Sequence, residues 1–236
     1  VSNGVLALSN GVSGDGALLS STNITVMAGA IIDVAGRSDA TLFLQSGQTL
    51  KGGGTIRGTV DASGGGNIEP GPGTATLTVT NSVTLGGTTT LEISRPNNDR
   101  IVAHQFNYGG TLVVTNIGTK LQAGDTFQLF SGPIAGAFVS VTLPTNDATG
   151  ATYTWEDDTA TTGSIKVLTA TGGVATNPTN ITTSVSGTNL TLTWPVDHTG
   201  WLLQAQTNSL TGPNWFTIPA SSGTNQFVVP IDPANK

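Results

Sequence analysis

Gly11, Gly29, Gly47 and Gly65 recur at one constant interval, and hydrophobic columns recur with them. Leu6, Ile24, Leu42 and Val60 keep that interval, and Leu77 arrives one position early. Ile32, Leu50 and Ile68 keep it too, again with an early member, Leu85. Leu8, Val26, Leu44 and Ala62 make a third column, resumed at Val79. Three registers with one interval predict stacked rungs, each covering its apolar face with the next copy. The expected fold is therefore all-β: a right-handed parallel β-helix (β-solenoid) with rungs of about 18 residues. A small β-sandwich-like module is expected to follow it.

Within a rung, Leu6-Ala7-Leu8, Ile24-Thr25-Val26, Leu42-Phe43-Leu44 and Leu77-Thr78-Val79 alternate with period two, the pattern of a strand with one buried face. Ala7, Thr25, Phe43, Asp61 and Thr78 then point outward, in ladders rich in threonine. Glycine at a fixed point of the rung suits a corner that needs positive φ or room for the next chain. A second outward set is Asp15, Asp33, Lys51 and Glu69, and Arg57 falls one glycine interval after Asp39. Opposite charges stacked in this way are expected to form weak surface ion pairs across rungs.

Composition narrows the partners. Of 236 residues only 9% are charged and 32 are glycine, so short alternating apolar runs carry the core. The net charge is −6 and the eight Lys and Arg are scattered, which argues against nucleic acid, whose affinity rests on neutralised phosphates. It argues equally against anionic lipid. No apolar run reaches membrane-spanning length, so no membrane insertion is expected. There is no cysteine, hence no disulfide framework or thiolate site. The chain begins at Val1, in mid-rung, and reads as a piece of a longer secreted protein.

After Arg95 the register breaks at Pro96-Asn97-Asn98-Asp99. Strand patterns resume at 101–102, 111–115, 126–130, 138–143, 153–155 and 164–167, as irregular later coils or as a cap over the stack. The first domain is expected to span 1–170, with a linker at 171–176 and a module at 177–236. In that module five strands are expected, at 181–185, 189–194, 200–206, 215–218 and 226–229. Trp194, Trp201, Leu203 and Ala205 resemble the early strands of fibronectin type III-like domains, a resemblance that implies core tryptophans at 194 and 201.

Gly47-Gln48-Thr49-Leu50-Lys51-Gly52-Gly53-Gly54, the run 68–79 (IEPGPGTATLTV), 108–116 (YGGTLVVTN) and 124–130 (GDTFQLF) resemble secreted bacterial proteins with autotransporter-associated β-strand repeats. The resemblance implies a solenoid and a secreted or cell-surface, extracellular location. It also extends to passengers, adhesins and appendages of polysaccharide-degrading enzymes, including a β-helical carbohydrate-binding module of a xylan-degrading enzyme.

Catalysis needs clustered acids and bases. His104 and His198 fall in different expected domains. Glu156-Asp157-Asp158 reads as a solvated turn, and Asp99-Arg100 with His104 is a minor acid–base candidate. No nucleophile elbow, phosphate loop or zinc spacing occurs, so no enzyme activity, cofactor or metal is expected. Sugar recognition calls for exposed rings beside polar groups. The ring candidates are Phe43, Tyr108, Tyr153 and Trp215. The expected function is binding of a plant cell-wall polysaccharide, xylan favoured, by a non-catalytic module covalently linked to a glycan-degrading enzyme. A passive stalk or adhesin-passenger segment is the rival, and a β-helical lyase or hydrolase the third reading.

Overall fold

A computed structural model describes residues 1–12, 14–174, 178–206 and 212–231. It is nearly all β, and contact density divides it into two units: Val1–Thr145 with Tyr153–Ala170, and Asn146–Thr152 with Thr171–Lys236. Residues 146–152 join the second unit through contacts such as the Thr152 to Thr171 hydroxyl pair at 2.8 Å. Residues 175–177, which include part of the expected linker, lie outside the described residues.

The first unit is built on three sheets of parallel strands. The first sheet takes Val5–Gly11, Ile31–Gly36, Thr55–Arg57, Thr76–Val79, Arg100–Val102 and Phe130–Ser131, with Gly14–Asp15 folded back antiparallel at one edge. The second takes Thr41–Gln45, Thr59–Gly64, Ser82–Thr84, Gln105–Tyr108 and Ile134–Gly136. The third takes Asn23–Thr25, Thr49–Lys51, Asn67–Glu69, Thr88–Ser94, Thr111–Asn116 and Ser140–Thr142. From Asn23 to Thr142 the strands of these ladders follow the third, first and second sheets in unbroken rotation, with Asn97–Asn98 and Thr126–Gln128 interposed as strands outside it.

This order corrects the uniform rung. Leu42 does pair with Val60, and Leu50 with Ile68, each one glycine interval apart. Ile24, however, pairs with Leu50, Leu6 with Ile32, and Leu77 with Ile101, all across longer stretches of chain. The expected column of Leu6, Ile24, Leu42, Val60 and Leu77 is thus divided among three sheets. The interval varies because corners vary in length. Gly58 alone joins Thr55–Arg57 to Thr59–Gly64, which shortens that circuit. Gly58 has φ +129°, and a Cβ on it would lie 2.4 Å from Val34 Cγ2.

Alternation holds in most strands of the three sheets, but in Val5–Gly11 only Leu8 is buried and Leu6, expected inward, is exposed. Ile32, Val34, Leu50, Ile56, Val60, Ile68, Leu77, Leu91, Ile101 and Leu112 are all buried. Outward positions stack as well, but not in the expected column: Phe43 lies beside Asp61, whereas Ala7 lies beside Asp33 and Thr25 beside Lys51, and the hydroxyl rows run through pairs such as Thr88 with Thr111. Lys51 pairs with Glu69 at 3.0 Å. Arg57 reaches Asp33 at 2.8 Å and not Asp39, because the first-sheet register brings positions 33 and 57 together. Asp39 is held by Arg37 within its own turn, at 3.0 Å.

Later in the unit, Thr126–Gln128 pairs antiparallel with Ser164–Gly172, in a three-stranded sheet completed by Ala151–Asp158. The Gly163 carbonyl accepts from the amides of both Leu129 and Phe130, at 2.9 Å each. Phe106, Tyr108, Phe130 and Phe138 form an aromatic cluster, with Tyr108 and Phe138 stacked at 4.4 Å.

The second unit has an antiparallel sheet of Thr182–Ser186, Asn189–Thr193 and Gln226–Pro230, and a two-stranded sheet of Gln204–Ala205 with Phe216–Thr217. Val196–His198 and Ser221–Gly223 are single 3₁₀ turns. Most of its apolar side chains remain open, among them Val185, Leu202, Phe216 and Val228. Among the described residues no helix is long and apolar enough to cross a membrane.

Two substitutions separate close approach from backbone conformation. Gly110 has φ +62° and a Cβ there would lie 2.0 Å from the Gly87 carbonyl oxygen, so Gly110→Ala should cost about 2–4 kcal/mol. Gly47, at φ +85° with nothing within 4 Å, should lose only about 1–2 kcal/mol on the same change. Denaturant midpoints of the two variants measure the difference. Leu50→Ala, in the fully buried third-sheet column, should cost about 2–5 kcal/mol.

Candidate binding surfaces

The break in pattern at Pro96 builds a polar recess in the first unit. Strand Thr88–Ser94 turns through Arg95 and Pro96 and pairs back on itself, Ile93 opposite Asn98, before Arg100–Val102 enters the first sheet. The turn is pinned by Asp99, which is fully buried. Its Oδ1 accepts from the Ala75 amide at 2.7 Å and its Oδ2 from the Glu92 amide at 2.8 Å, tying three stretches of chain together. Burial nevertheless dominates its ionisation and, helped by the negative charges of Glu92 and Glu69, pushes its pKa up to about 6. The two amide bonds pull the other way and lose. Glu92 Oε2 is buried without a hydrogen-bond partner.

Over this pin lies an open groove of about 500 Å³ lined by Thr74, Thr76, Asn97, Asn98, Arg100 and Gln128. A second recess of about 390 Å³ begins on Pro96 and runs past Arg95 and Asp125. The amides are fixed by their nitrogens. Asn98 Nδ2 donates to the Asp99 and Gln128 carbonyls at 2.6 and 2.8 Å. Gln128 Nε2 donates to the Phe130 and Thr162 carbonyls at 2.5 and 2.6 Å. The guanidinium of Arg100 is braced on Ser131 Oγ at 2.8 and 2.6 Å. Arg95 is held by Asp125 at 3.0 Å and Gln122 at 2.7 Å. The groove therefore offers oriented amides, hydroxyls and a guanidinium, a set suited to hydroxylated chains.

The four ring candidates do not meet. Phe43 holds its outward place in the second sheet and is 40% exposed, but the Arg37 guanidinium sits 5.9 Å from its ring centroid. Tyr108 is only 7% exposed and Tyr153 only 5%, so the expectation that they offer ring faces to solvent is corrected. Tyr108 is the inward residue of Gln105–Tyr108, where it packs on Phe130 and Phe138. Burial and then the charge of Asp157 push its hydroxyl well above the usual phenol range. Tyr153 is inward in Ala151–Asp158, and its hydroxyl accepts from the Leu121 amide at 3.2 Å. Both occupy the inward face of their strands, and that face is covered. Trp215 is 42% exposed, in the second unit. Trp201, expected in a core, is 40% exposed, whereas Trp194 is buried.

The acid–base candidates are also separated by role. Asp99 faces the interior, Arg100 is bound to Ser131, and His104 is exposed. Asp157 caps its own turn through the Thr159 amide and hydroxyl at 3.0 and 2.7 Å, and Glu156 pairs with Lys166 at 3.1 Å. Among the described residues no group of three or more His, Cys, Asp or Glu is arranged to hold a metal ion. The signal sequence reading missed is the amide-rich turn 96–100, whose Asn97 and Asn98 were legible only as turn formers. No protein-family model matches the chain, and no curated protein matches it.

Asp99 gives a signed pH prediction. Its folded pKa of about 6 lies above the ordinary carboxyl value of 3.8, so the folded state binds the proton more tightly. Its contribution is complete below about pH 4 and is lost as pH rises through about 6, on the order of 3 kcal/mol. Denaturant midpoints from pH 4 to pH 8 should show this fall, and Asp99→Asn should abolish it. The variant should also lie below the parent at pH 4, because its amide nitrogen would face a backbone N–H.

Proposed function

We infer that the chain is a non-catalytic binder of an extended, hydroxyl-rich polysaccharide, with a plant cell-wall glycan such as xylan favoured. The observation that carries this reading is the groove over Asn98, Arg100 and Gln128, in which every amide nitrogen of Asn98 and Gln128 is tied to the protein. Side chains already ordered before binding lose less entropy on meeting a ligand. The first unit would be a right-handed parallel β-solenoid with three strands to a turn; the unbroken rotation among three sheets supports that description. Its turns would lengthen from the short circuit of Leu42 to Val60 to the longer one of Leu112 to Val141. The second unit would be a small sandwich-like module of fibronectin III type, as its two antiparallel sheets suggest. Such a protein would work outside a bacterial cell, covalently joined to a catalytic or surface domain.

A shallow groove favours a polymer, since several weak subsites along one chain add their contributions. The rings sought in the first unit are covered or shared, so polar groups and not stacking should dominate there. The rival stalk reading draws on the regular hydroxyl ladders of the third sheet, which need no ligand. A lyase or hydrolase would need an exposed acid–base pair, and the buried Asp99 does not offer one.

Affinity electrophoresis against soluble xylan, β-glucan, mannan and pectin tests the reading. Retardation by a neutral polymer is expected, little changed by salt. Asn98→Ala and Arg100→Ala should each weaken it about five- to twentyfold, the effect of one or two hydrogen bonds. Absence of retardation on all four would leave the stalk. Reducing-end release or unsaturated products that vanish with Asp99→Asn would instead establish an enzyme.

A further inference from the structure

The second unit contains a cleft whose chemistry differs from that of the groove. It encloses about 150 Å³ and is lined by Thr179, Ile181, Trp194, His198, Trp201 and Leu203, among others. Its walls are built by consecutive tight turns. Trp194 follows the strand Asn189–Thr193, and Asn225 clamps its backbone there: the Trp194 amide donates to the Asn225 carbonyl at 3.0 Å, and Asn225 Nδ2 donates to the Trp194 carbonyl at 3.1 Å. The His198 amide then donates to the Pro195 carbonyl at 2.9 Å, and the Trp201 amide to the His198 carbonyl at 3.1 Å. The rings of His198 and Trp201 meet edge to face at 4.9 Å. Asp197 Oδ1 lies 2.8 Å from His198 Nδ1 and fixes the imidazole.

Two features of this cleft point to a ligand. The Trp194 side chain is 6% exposed, yet its Nε1–H has no hydrogen-bond partner. A buried donor left unpaired costs about 1–3 kcal/mol, which an acceptor oxygen would return. Trp201, by contrast, leaves 40% of its surface open beside an apolar wall. A cavity of about 150 Å³ accommodates one six-membered ring.

We propose that this cleft binds a single neutral pyranose ring, with the sugar's C–H face on Trp201 and one of its oxygens accepting from Trp194 Nε1–H. An aliphatic side chain of another protein would match the walls but leave that donor unpaired, which is why a sugar is favoured. No side chain of the cleft needs a charged ligand, since Asp197 and His198 satisfy each other. The site is independent of the groove over Asn98 and Arg100 and does not require it to bind anything.

The four tryptophans provide the assay, since each gives one indole resonance in a ¹H–¹⁵N spectrum of the full chain. Methyl β-xyloside and methyl β-glucoside are the probes, with cyclohexylammonium as a soluble six-membered ring that has no acceptor atom. The Trp194 resonance should shift downfield on adding xyloside or glucoside, with a dissociation constant on the order of millimolar. Cyclohexylammonium should leave it in place. Trp201→Ala, at an open position, should weaken binding at least about tenfold. Trp194→Phe, which keeps a ring and removes the donor, should weaken it about fivefold, read from backbone amides near the cleft. If Trp194→Phe fails to fold, Trp201→Ala decides. Equal shifts with cyclohexylammonium would overturn the proposal and make the cleft an apolar docking pocket. No movement of Trp194 at about 50 mM of either glycoside would overturn it as well. Arg100→Ala should leave these shifts unchanged, so failure of the groove and failure of the cleft are told apart.

Discussion

Each strand in the parallel ladders of the first unit finds its backbone partner one circuit away along the chain, not in a neighbouring hairpin. The spacing between paired strands, about 4.8 Å, is therefore the spacing between circuits. That constraint organises everything else in the unit. Side chains at equivalent positions must stack directly on one another, so inward columns become continuous rows such as Leu50 on Ile68 and Leu77 on Ile101. Outward columns become rows of hydroxyls, amides or alternating charge, such as Thr88 on Thr111 and Lys51 on Glu69. At corners the backbones of successive circuits come so close that Gly110 has no room for a Cβ beside Gly87.

The same constraint explains where the first unit can depart from regularity. One-residue register shifts do occur near strand ends, between Ala7 and Ser9 and between Phe43 and Gln45, but a longer insertion would displace a whole column and sits at a corner. The turn after Ser94 is such an insertion. It folds back on its own strand and needs a buried anchor, which Asp99 supplies by bonding to the amides of Ala75 and Glu92. A carboxylate in that place spans two amide donors but carries a desolvation cost, visible as its raised pKa. The groove above is a consequence of this anchoring, since Asn98 and Arg100 flank Asp99 in sequence and inherit its fixed backbone.

The second unit obeys a different rule. Its strands pair antiparallel: Thr182–Ser186 meets Asn189–Thr193 through a short turn, Gln226–Pro230 joins from far along the chain, and the small sheets leave many apolar side chains open. With so little interior, order around Trp194 and His198 comes from backbone clamps and consecutive turns. That arrangement holds a buried indole donor in place without satisfying it.

Alternation of apolar and polar residues was enough to establish most strands and their inward faces, because period two is a property of the chain itself. The change of pattern after residue 170 was equally legible as composition. Which residues stack was not: Leu42 meets Val60 as their spacing suggests, but Ile24 meets Leu50, because corner length and not the strand sets the circuit. Nor could spacing tell that Tyr108 and Tyr153 are covered, that Trp201 is open, or that Asp99 points inward, since each depends on a strand or turn distant in sequence. Local sequence determines which side of a strand a residue occupies; only tertiary pairing decides what lies opposite that side, and hence whether a ring, a carboxylate or an indole N–H meets protein or solvent.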